Sequence, residues 1–253
     1  MKNHSLYHRM LAAKANHHKK FVVLIDPDKV TPESLVNTIE ISVRAQVDYF
    51  FIGGSLLIND TISECIDVIR SCCEIPVIIF PGSPSQIHSN ADAILLLSLI
   101  SGRNPELLIG QHVVAAAALR ESELEVISTG YILIDGGKAT TISYISNTFP
   151  IPYSKDDIAM STAIAGELLG LKMIYLEAGS GAGNCVSEMM VKRVAENIDV
   201  PLVVGGGITS GESAKALCTA GADIIVVGTV AEKDPMAILE ISNAVHQSVS
   251  ING

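Results

Sequence analysis

The chain has 253 residues and a formal charge of −10, with 17 basic side chains against 27 acidic ones. That balance argues against non-specific binding to nucleic acid, although backbone N–H groups and one metal ion still suffice for a small anion. Apolar residues make up 48%, aromatics 4%, and Trp is absent. A large core is therefore available, packed mainly with Ile, Val, Leu and Ala, as suits parallel strands buried on both faces. The length fits one (β/α)8 barrel domain over residues 1–253.

Residues 5–17 are expected to form a leading helix. His4, His8, His17 and His18, with Lys14, Lys19 and Lys20, read as its solvated face rather than as a metal site or secretory signal. Phe21–Ile25 is an apolar run ending in Asp26-Pro27-Asp28-Lys29. Thr31-Pro32-Glu33 then opens a helix to about Ala45, with an N-cap and proline in the first turn. Tyr49–Ile52 is the second strand, ending in Gly53-Gly54-Ser55. A helix follows from about Asp60 to Cys73, with apolar spacing at Ile62, Cys65, Ile66 and Ile69. Pro76–Phe80 and Ala91–Leu97 are the third and fourth strands. Residues 81–90 between them hold two prolines and a glycine, too short and too broken for a crossover helix. The third helix of a barrel is thus expected to be missing or replaced by an irregular segment.

Asn104–Leu119 reads as a helix, and Glu125–Ile134 as a fifth strand interrupted at Thr129-Gly130. Residues 139–155 are expected to be irregular and to lie beside the active face, as long loops in compact domains often do. A helix runs from Ser154-Lys155 to about Leu169. Three apolar runs follow, each ending in glycine-rich sequence. They are Met173–Glu177 before Ala178-Gly179-Ser180-Gly181, Pro201–Val204 before Gly205-Gly206-Gly207, and Ile224–Val227 before Gly228-Thr229. Helices are expected at about 187–196, 210–220 and 234–249. Eight strands alternating with helices imply a closed parallel α/β barrel of the TIM type.

In such barrels function collects at the C-terminal ends of strands. Two glycine-rich loops on the last two strands resemble a phosphate cradle, because glycine lets backbone N–H groups approach a ligand closely. Gly206, Gly207, Gly228 and Thr229 supply it here. Asp26 sits at the rim of the first strand, and a hard cation such as Mg²⁺ takes one or two carboxylates and completes its shell with other oxygens. Ser55 on the neighbouring strand offers one. Their structural readings are a helix-entry turn and a helix N-cap. Glu177 ends an apolar strand, where a carboxylate is costly unless paired or used; its functional reading is a base beside a substrate hydroxyl. Tyr175 points to the same side. Lys138 is either a phosphate contact or a solvated loop lysine. The cysteines Cys65, Cys72, Cys73, Cys185 and Cys218 show no metal-ligand spacing and suit reduced thiols in a cytoplasm. No apolar run is long enough to span a bilayer.

At these residues the chain resembles the geranylgeranylglyceryl phosphate synthase family, which includes heptaprenylglyceryl phosphate synthases. The resemblance covers residues 20–245. It is carried by Leu24-Ile25-Asp26-Pro27-Asp28-Lys29, Gly53-Gly54-Ser55, Phe80-Pro81-Gly82-Ser83, Tyr175 through Ala182, Gly205-Gly206-Gly207-Ile208 and Val227-Gly228-Thr229. The short third connection agrees with the family's modified barrel. The resemblance implies a prenyltransferase joining a long prenyl diphosphate to the sn-3 hydroxyl of sn-glycerol 1-phosphate. It implies Mg²⁺ at Asp26 and Ser55. It places glycerol phosphate at Tyr175, Leu176, Glu177, Ala178, Gly179, Ser180, Gly181, Gly206, Gly207, Gly228 and Thr229, with Glu177 and Tyr175 catalytic. Some members carry lysine where this chain has Leu24, which places it in the larger subgroup, dimeric or hexameric. The prenyl tail implies transient contact with a membrane surface and an apolar groove, for which Phe50, Phe51, Ile94 and Leu96 are candidates, with barrel core as the plainer reading of all four. The competing readings are a sugar-phosphate isomerase or aldolase using Lys138 and Glu177, an FMN barrel, and a non-catalytic lipid- or phosphate-binding barrel.

Overall fold

The computed structural model describes residues 5–59 and 61–248. His4, Asp60 and the end of the last expected helix at 249 lie outside the described residues. In chain order the elements are α1 (Leu6–Ala15), β1 (Lys20–Ile25), α2 (Pro32–Arg44), β2 (Tyr49–Ile52), α3 (Ile62–Cys72), β3 (Val77–Ile79), β4 (Ala93–Leu99), α4 (Gln111–Glu121), β5 (Glu125–Leu133) and α5 (Thr141–Ile145). They continue with α6 (Asp156–Leu168), β6 (Met173–Glu177), α7 (Glu188–Ala195), β7 (Leu202–Gly205), α8 (Gly211–Ala220), β8 (Ile224–Val227), α9 (Thr229–Lys233) and α10 (Ala237–His246). The eight strands close in sequence order, β8 pairing with β1 in parallel from Lys20↔Ile224 to Val23↔Val227.

Strand periodicity divides the core into two layers. Val22, Phe51, Ile78, Leu95, Ile127, Tyr175 and Val203 fill the barrel interior. Val23, Phe50, Ile52, Ile174, Leu176 and Val204 face outward against the helices. The helices meet them with apolar residues three and four apart, as in α3, where Ile62, Cys65, Ile66 and Ile69 are buried. A capping box starts α2: Ser34 N donates to Thr31 Oγ1 at 3.2 Å, and Thr31 N to Ser34 Oγ at 2.8 Å. At the N-terminal face α1 closes the barrel, sending Leu6 and Met10 into the inner layer. Glu125 holds the start of that helix by accepting from Leu6 N and Tyr7 N at 2.6 and 3.0 Å.

Between β3 and β4 a single 3-10 turn, Pro84–Gln86, stands where the third helix would be. Gln86 is buried; its Oε1 accepts from Gly82 N at 2.8 Å and its amide reaches Gly54 O at 3.5 Å. The short connection therefore braces the loop after β2. Other expectations are corrected. β5 is continuous through Thr129 and Gly130. Glycine lets neighbouring side chains close over the strand there: a Cβ would meet Ile174 Cδ1 at 2.8 Å and Ile100 Cδ1 at 3.0 Å. Residues 139–155 are not irregular throughout: Thr140 and Ser143 form the capping box of α5, and Ile151 bridges to Ile134. The last expected helix is α10, and a short helix not expected from the sequence, α9, precedes it directly after β8. Phe50 and Phe51 are fully buried in the two core layers rather than lining a groove.

Candidate active site

The strand ends surround a cleft of about 490 Å³, lined by Asp26, Ser55, Tyr175, Glu177, Gly206 and Thr229 among others. Its floor is β6. In-register pairing sets Tyr131 beside Tyr175 and Glu177 beside Gly205. Glu177 is 7% exposed, and its Oε1 accepts from Gly179 N at 2.6 Å. Burial pushes its carboxyl up to about 7, although the Gly179 N–H and the nearby Tyr175 hydroxyl favour the anion. The Tyr175 hydroxyl is buried and reaches no partner at full hydrogen-bond geometry among the described residues. Burial and the Glu177 charge hold its phenol well above the ordinary value, so it stays protonated.

The glycines make room for that floor. A Cβ at Gly205 would lie 3.0 Å from Glu177 Oε2 and would overlap the Tyr175 hydroxyl. Gly206 has φ +82°, and a Cβ there would overlap Glu177 Oε1. The loops after β6 and β8 meet across the cleft through Ser180 Oγ and Thr229 Oγ1, 3.0 Å apart. Ser180, Gly181, Gly206, Gly207, Gly228 and Thr229 all line the cleft. Leu176 and Ala178 do not, which corrects their expected place. They fall on the opposite phase of the strand, in the outer core, and the Ala178 N–H is used by Gly205 O at 3.0 Å. Lys138 lines the rim but is exposed, with no ion pair among the described residues. Leu24 lines the wall near Gly228.

On the other side, Asp26 and Ser55 line the cleft together. A Cβ at Gly54 would lie 3.4 Å from Asp26 Oδ1, so the Gly54-Ser55 backbone rests against this carboxylate. Among the described residues no three His, Cys, Asp or Glu side chains form a ready-made metal cage. One carboxylate and one hydroxyl nevertheless fit Mg²⁺, which keeps several waters and takes substrate oxygens as its remaining ligands. Sequence reasoning passed over two charged neighbours. Lys29 Nζ lies 2.8 Å from Asp26 Oδ2 and 3.6 Å from Glu232 Oε1. Lys29 stood inside a quoted motif; Glu232 carried no signal, since its place depends on how α9 is set.

A second, apolar groove opens beside β4, lined by Ile94, Leu96, Leu107, Ala115 and Leu119 among others. Ile94 and Leu96 are where the sequence reading put them. The groove shares Gly54, Ser55, Phe80, Tyr131 and Ile142 with the polar cleft. At the junction Phe80, Tyr131 and Tyr175 form an aromatic wall with ring centroids 5.4–5.9 Å apart. Tyr131 was missed because a strand broken at Gly130 hides its pairing with Tyr175.

The model of the PcrB family matches residues 14–245 of this chain. The chain belongs to the PcrB family. Its relatives include proteins named geranylgeranylglyceryl phosphate synthase from Chitinophaga pinensis, 53% identical over 98% of this chain and 99% of that one, and from Pyrococcus furiosus, 40% identical over 88% and 89%. The crystal structure of (S)-3-O-geranylgeranylglyceryl phosphate synthase from Thermoplasma acidophilum, in complex with its substrate sn-glycerol-1-phosphate, superposes with a TM-score of 0.91. It is 35% identical, with 97% of this chain and 100% of that one covered. More distant barrels, such as a tryptophan synthase α-subunit from Pyrococcus furiosus at 12% identity and TM-score 0.55, share the fold alone.

Proposed function

We propose that this PcrB-family chain is a prenyltransferase that joins a long prenyl group, from its diphosphate, to the sn-3 hydroxyl of sn-glycerol 1-phosphate. One observation carries the reading: a phosphate-type cleft floored by Glu177 shares a wall with an apolar groove. A ligand that spans the two must have a charged head and a long hydrocarbon tail. The relatives' names and the glycerol phosphate bound by the Thermoplasma enzyme support the same head group.

In this reading the phosphate of glycerol phosphate lies against Ser180, Gly181, Gly206, Gly207, Gly228 and Thr229. That anchor holds the free hydroxyl over Glu177, which supplies the proximity term of the rate. The prenyl diphosphate lies on the Asp26 and Ser55 side, with its tail in the groove. The bond between the allylic carbon and the diphosphate oxygen breaks, and its electron pair leaves with diphosphate. The hydroxyl oxygen forms the new ether bond, and its proton passes to the Glu177 carboxylate. A base with a pKa near 7 suits that transfer at neutral pH. Cationic character on the allylic carbon falls beside the faces of Phe80, Tyr131 and Tyr175. Asp26 and Ser55 would hold Mg²⁺, which would supply neutralisation of the charge on the leaving group. The isomerase or aldolase alternative would need a desolvated lysine or a carboxylate pair across the barrel; Lys138 is exposed, and that chemistry leaves the pairing of Asp26 with Ser55 without a role.

The test is extraction of radiolabelled sn-glycerol 1-phosphate into an apolar solvent after incubation with Mg²⁺ and geranylgeranyl diphosphate. Wild type should transfer the label in a Mg²⁺-dependent way, whereas Asp26→Asn and Glu177→Gln should not. Absence of transfer with prenyl diphosphates of every length would sink the proposal.

A further inference from the structure

The Asp26 side of the cleft holds a cation that the reaction, as derived so far, does not use. Asp26 ends β1, and the chain turns at once through Pro27–Lys29. That turn is fixed at both ends. Lys29 N donates to Asp26 O at 3.0 Å, and the Asp28 carboxylate accepts from Ile58 N at 2.6 Å and Asn59 N at 3.2 Å. Asp28 is thereby spent on tying the turn to the loop after β2. Lys29 is left to fold back over the cleft, between Asp26 at 2.8 Å and Glu232 at 3.6 Å. All three line the cleft, with side chains 17% exposed for Asp26, 21% for Glu232 and 47% for Lys29.

One ammonium thus serves two carboxylates from opposite edges of the β8–β1 seam. Two carboxylates facing each other there repel, and the Lys29 ammonium lies between them. Its hold on Asp26 is also an obstacle. A divalent cation must take Asp26 oxygens at about 2 Å, and Lys29 already engages Oδ2. Asp26 Oδ1 in turn accepts from Asp28 N at 3.2 Å, and two cations on one carboxylate repel each other, so metal binding weakens the hold of Asp26 on Lys29. Glu232 Oε1, 3.6 Å from the ammonium, offers it a second anchor inside the cleft, and the oxygens of a diphosphate bound there would be further acceptors.

We propose that Lys29 is a resident substitute cation at Asp26 that moves onto the prenyl diphosphate when metal binds. It then becomes the second positive group on the leaving diphosphate, and Glu232 is the positioning residue that retains it. This rests on the prenyl-transfer reading above. Lys29 remains protonated throughout: no bond to it forms or breaks, and its role is to offset charge as the electron pair moves to the diphosphate oxygen.

The experiment is calorimetric and does not depend on turnover. Mg²⁺ alone, and then inorganic diphosphate in saturating Mg²⁺, are titrated into wild type, Lys29→Met, Lys29→Arg and Glu232→Gln. Melting temperatures check that each variant is folded. Lys29→Met should bind Mg²⁺ alone severalfold more tightly, because the competitor is gone, yet bind diphosphate with Mg²⁺ at least tenfold more weakly. Lys29→Arg should recover most of the diphosphate binding. Glu232→Gln should give a smaller loss in the same direction. Should Lys29→Met match wild type in both titrations while wild type binds diphosphate, the Lys29 role is overturned and prenyl transfer stands. Should wild type itself bind no diphosphate in Mg²⁺, the Lys29 role falls, while prenyl transfer is judged by label transfer alone.

Discussion

At the ends of β6, β7 and β8 the site is made from what the chain contains; beside β4 it is made from what the chain lacks. The polar cleft is assembled from backbone. Gly206 lies so close to the Glu177 carboxylate, and Gly205 to the Tyr175 hydroxyl, that a side chain on either would displace part of the cleft floor. The apolar groove exists because a 3-10 turn at Pro84–Gln86 leaves the outer face of β4 uncovered. Its far wall is one face of α4 and the turn before it: Leu107, Gln111, Ala115 and Leu119 recur every four residues over roughly 18 Å of helix axis. The cleft should therefore tolerate almost no change, whereas the groove should tolerate change and alter its length preference.

Glu177→Gln should have the largest effect. Loss of the base should lower kcat by about 10²–10⁴-fold. The same change should stabilise the ligand-free protein in alkaline solution. Folding raises the Glu177 pKa from 4.5 to about 7, so the folded state binds the extra proton, and wild-type stability falls as pH rises from 4.5 to 7. Above that window the glutamine variant should gain up to about 3 kcal/mol, and below 4.5 nothing. Melting curves at pH 4.5 and pH 8 measure the difference. An unchanged melting temperature at pH 8 would contradict the burial argument. In wild type, kcat/KM should fall tenfold per pH unit below about 7.

Gly206→Ala comes next. Its φ of +82° and the overlap with Glu177 Oε1 should lower kcat on the order of 100-fold through a misplaced base. Nearly wild-type kinetics would show that the cleft is less rigid than described. Ala115→Phe fills the groove midway along α4. It should raise KM for geranylgeranyl diphosphate about tenfold, some 1.4 kcal/mol of binding, while leaving KM for sn-glycerol 1-phosphate unchanged. A rise in both KM values would mean that groove and cleft are not separable. Lys138→Met should matter least. An exposed lysine contributes ~0.5 kcal/mol, about a twofold change in kcat/KM.

Much of this was legible in sequence because strand-end glycines and a lone carboxylate in an apolar strand are local signals. The barrel, the missing third helix and the gathering of Asp26, Ser55, Glu177 and the phosphate loops all follow from such signals. What escaped depends on register or on distant packing. Leu176 and Ala178 stood in the most specific motif, yet strand alternation turns them into the outer core. Gly130 looked like a break but is a close approach between packed side chains, and that misreading hid Tyr131. Glu232 reaches Lys29 only because the barrel closes β8 onto β1. The cysteines are free thiols, and among the described residues no helix is long and apolar enough to cross a membrane.

The most direct test of the central claim, that cleft and groove serve one reaction, is a chain-length series. Prenyl diphosphates from five to thirty-five carbons are supplied with labelled sn-glycerol 1-phosphate to wild type and Ala115→Phe, and kcat/KM is plotted against length. Wild type should rise to a long-chain optimum, and the variant should move that optimum to shorter chains without losing activity on the shortest. Superimposable profiles, or a wild type indifferent to length, would contradict the account.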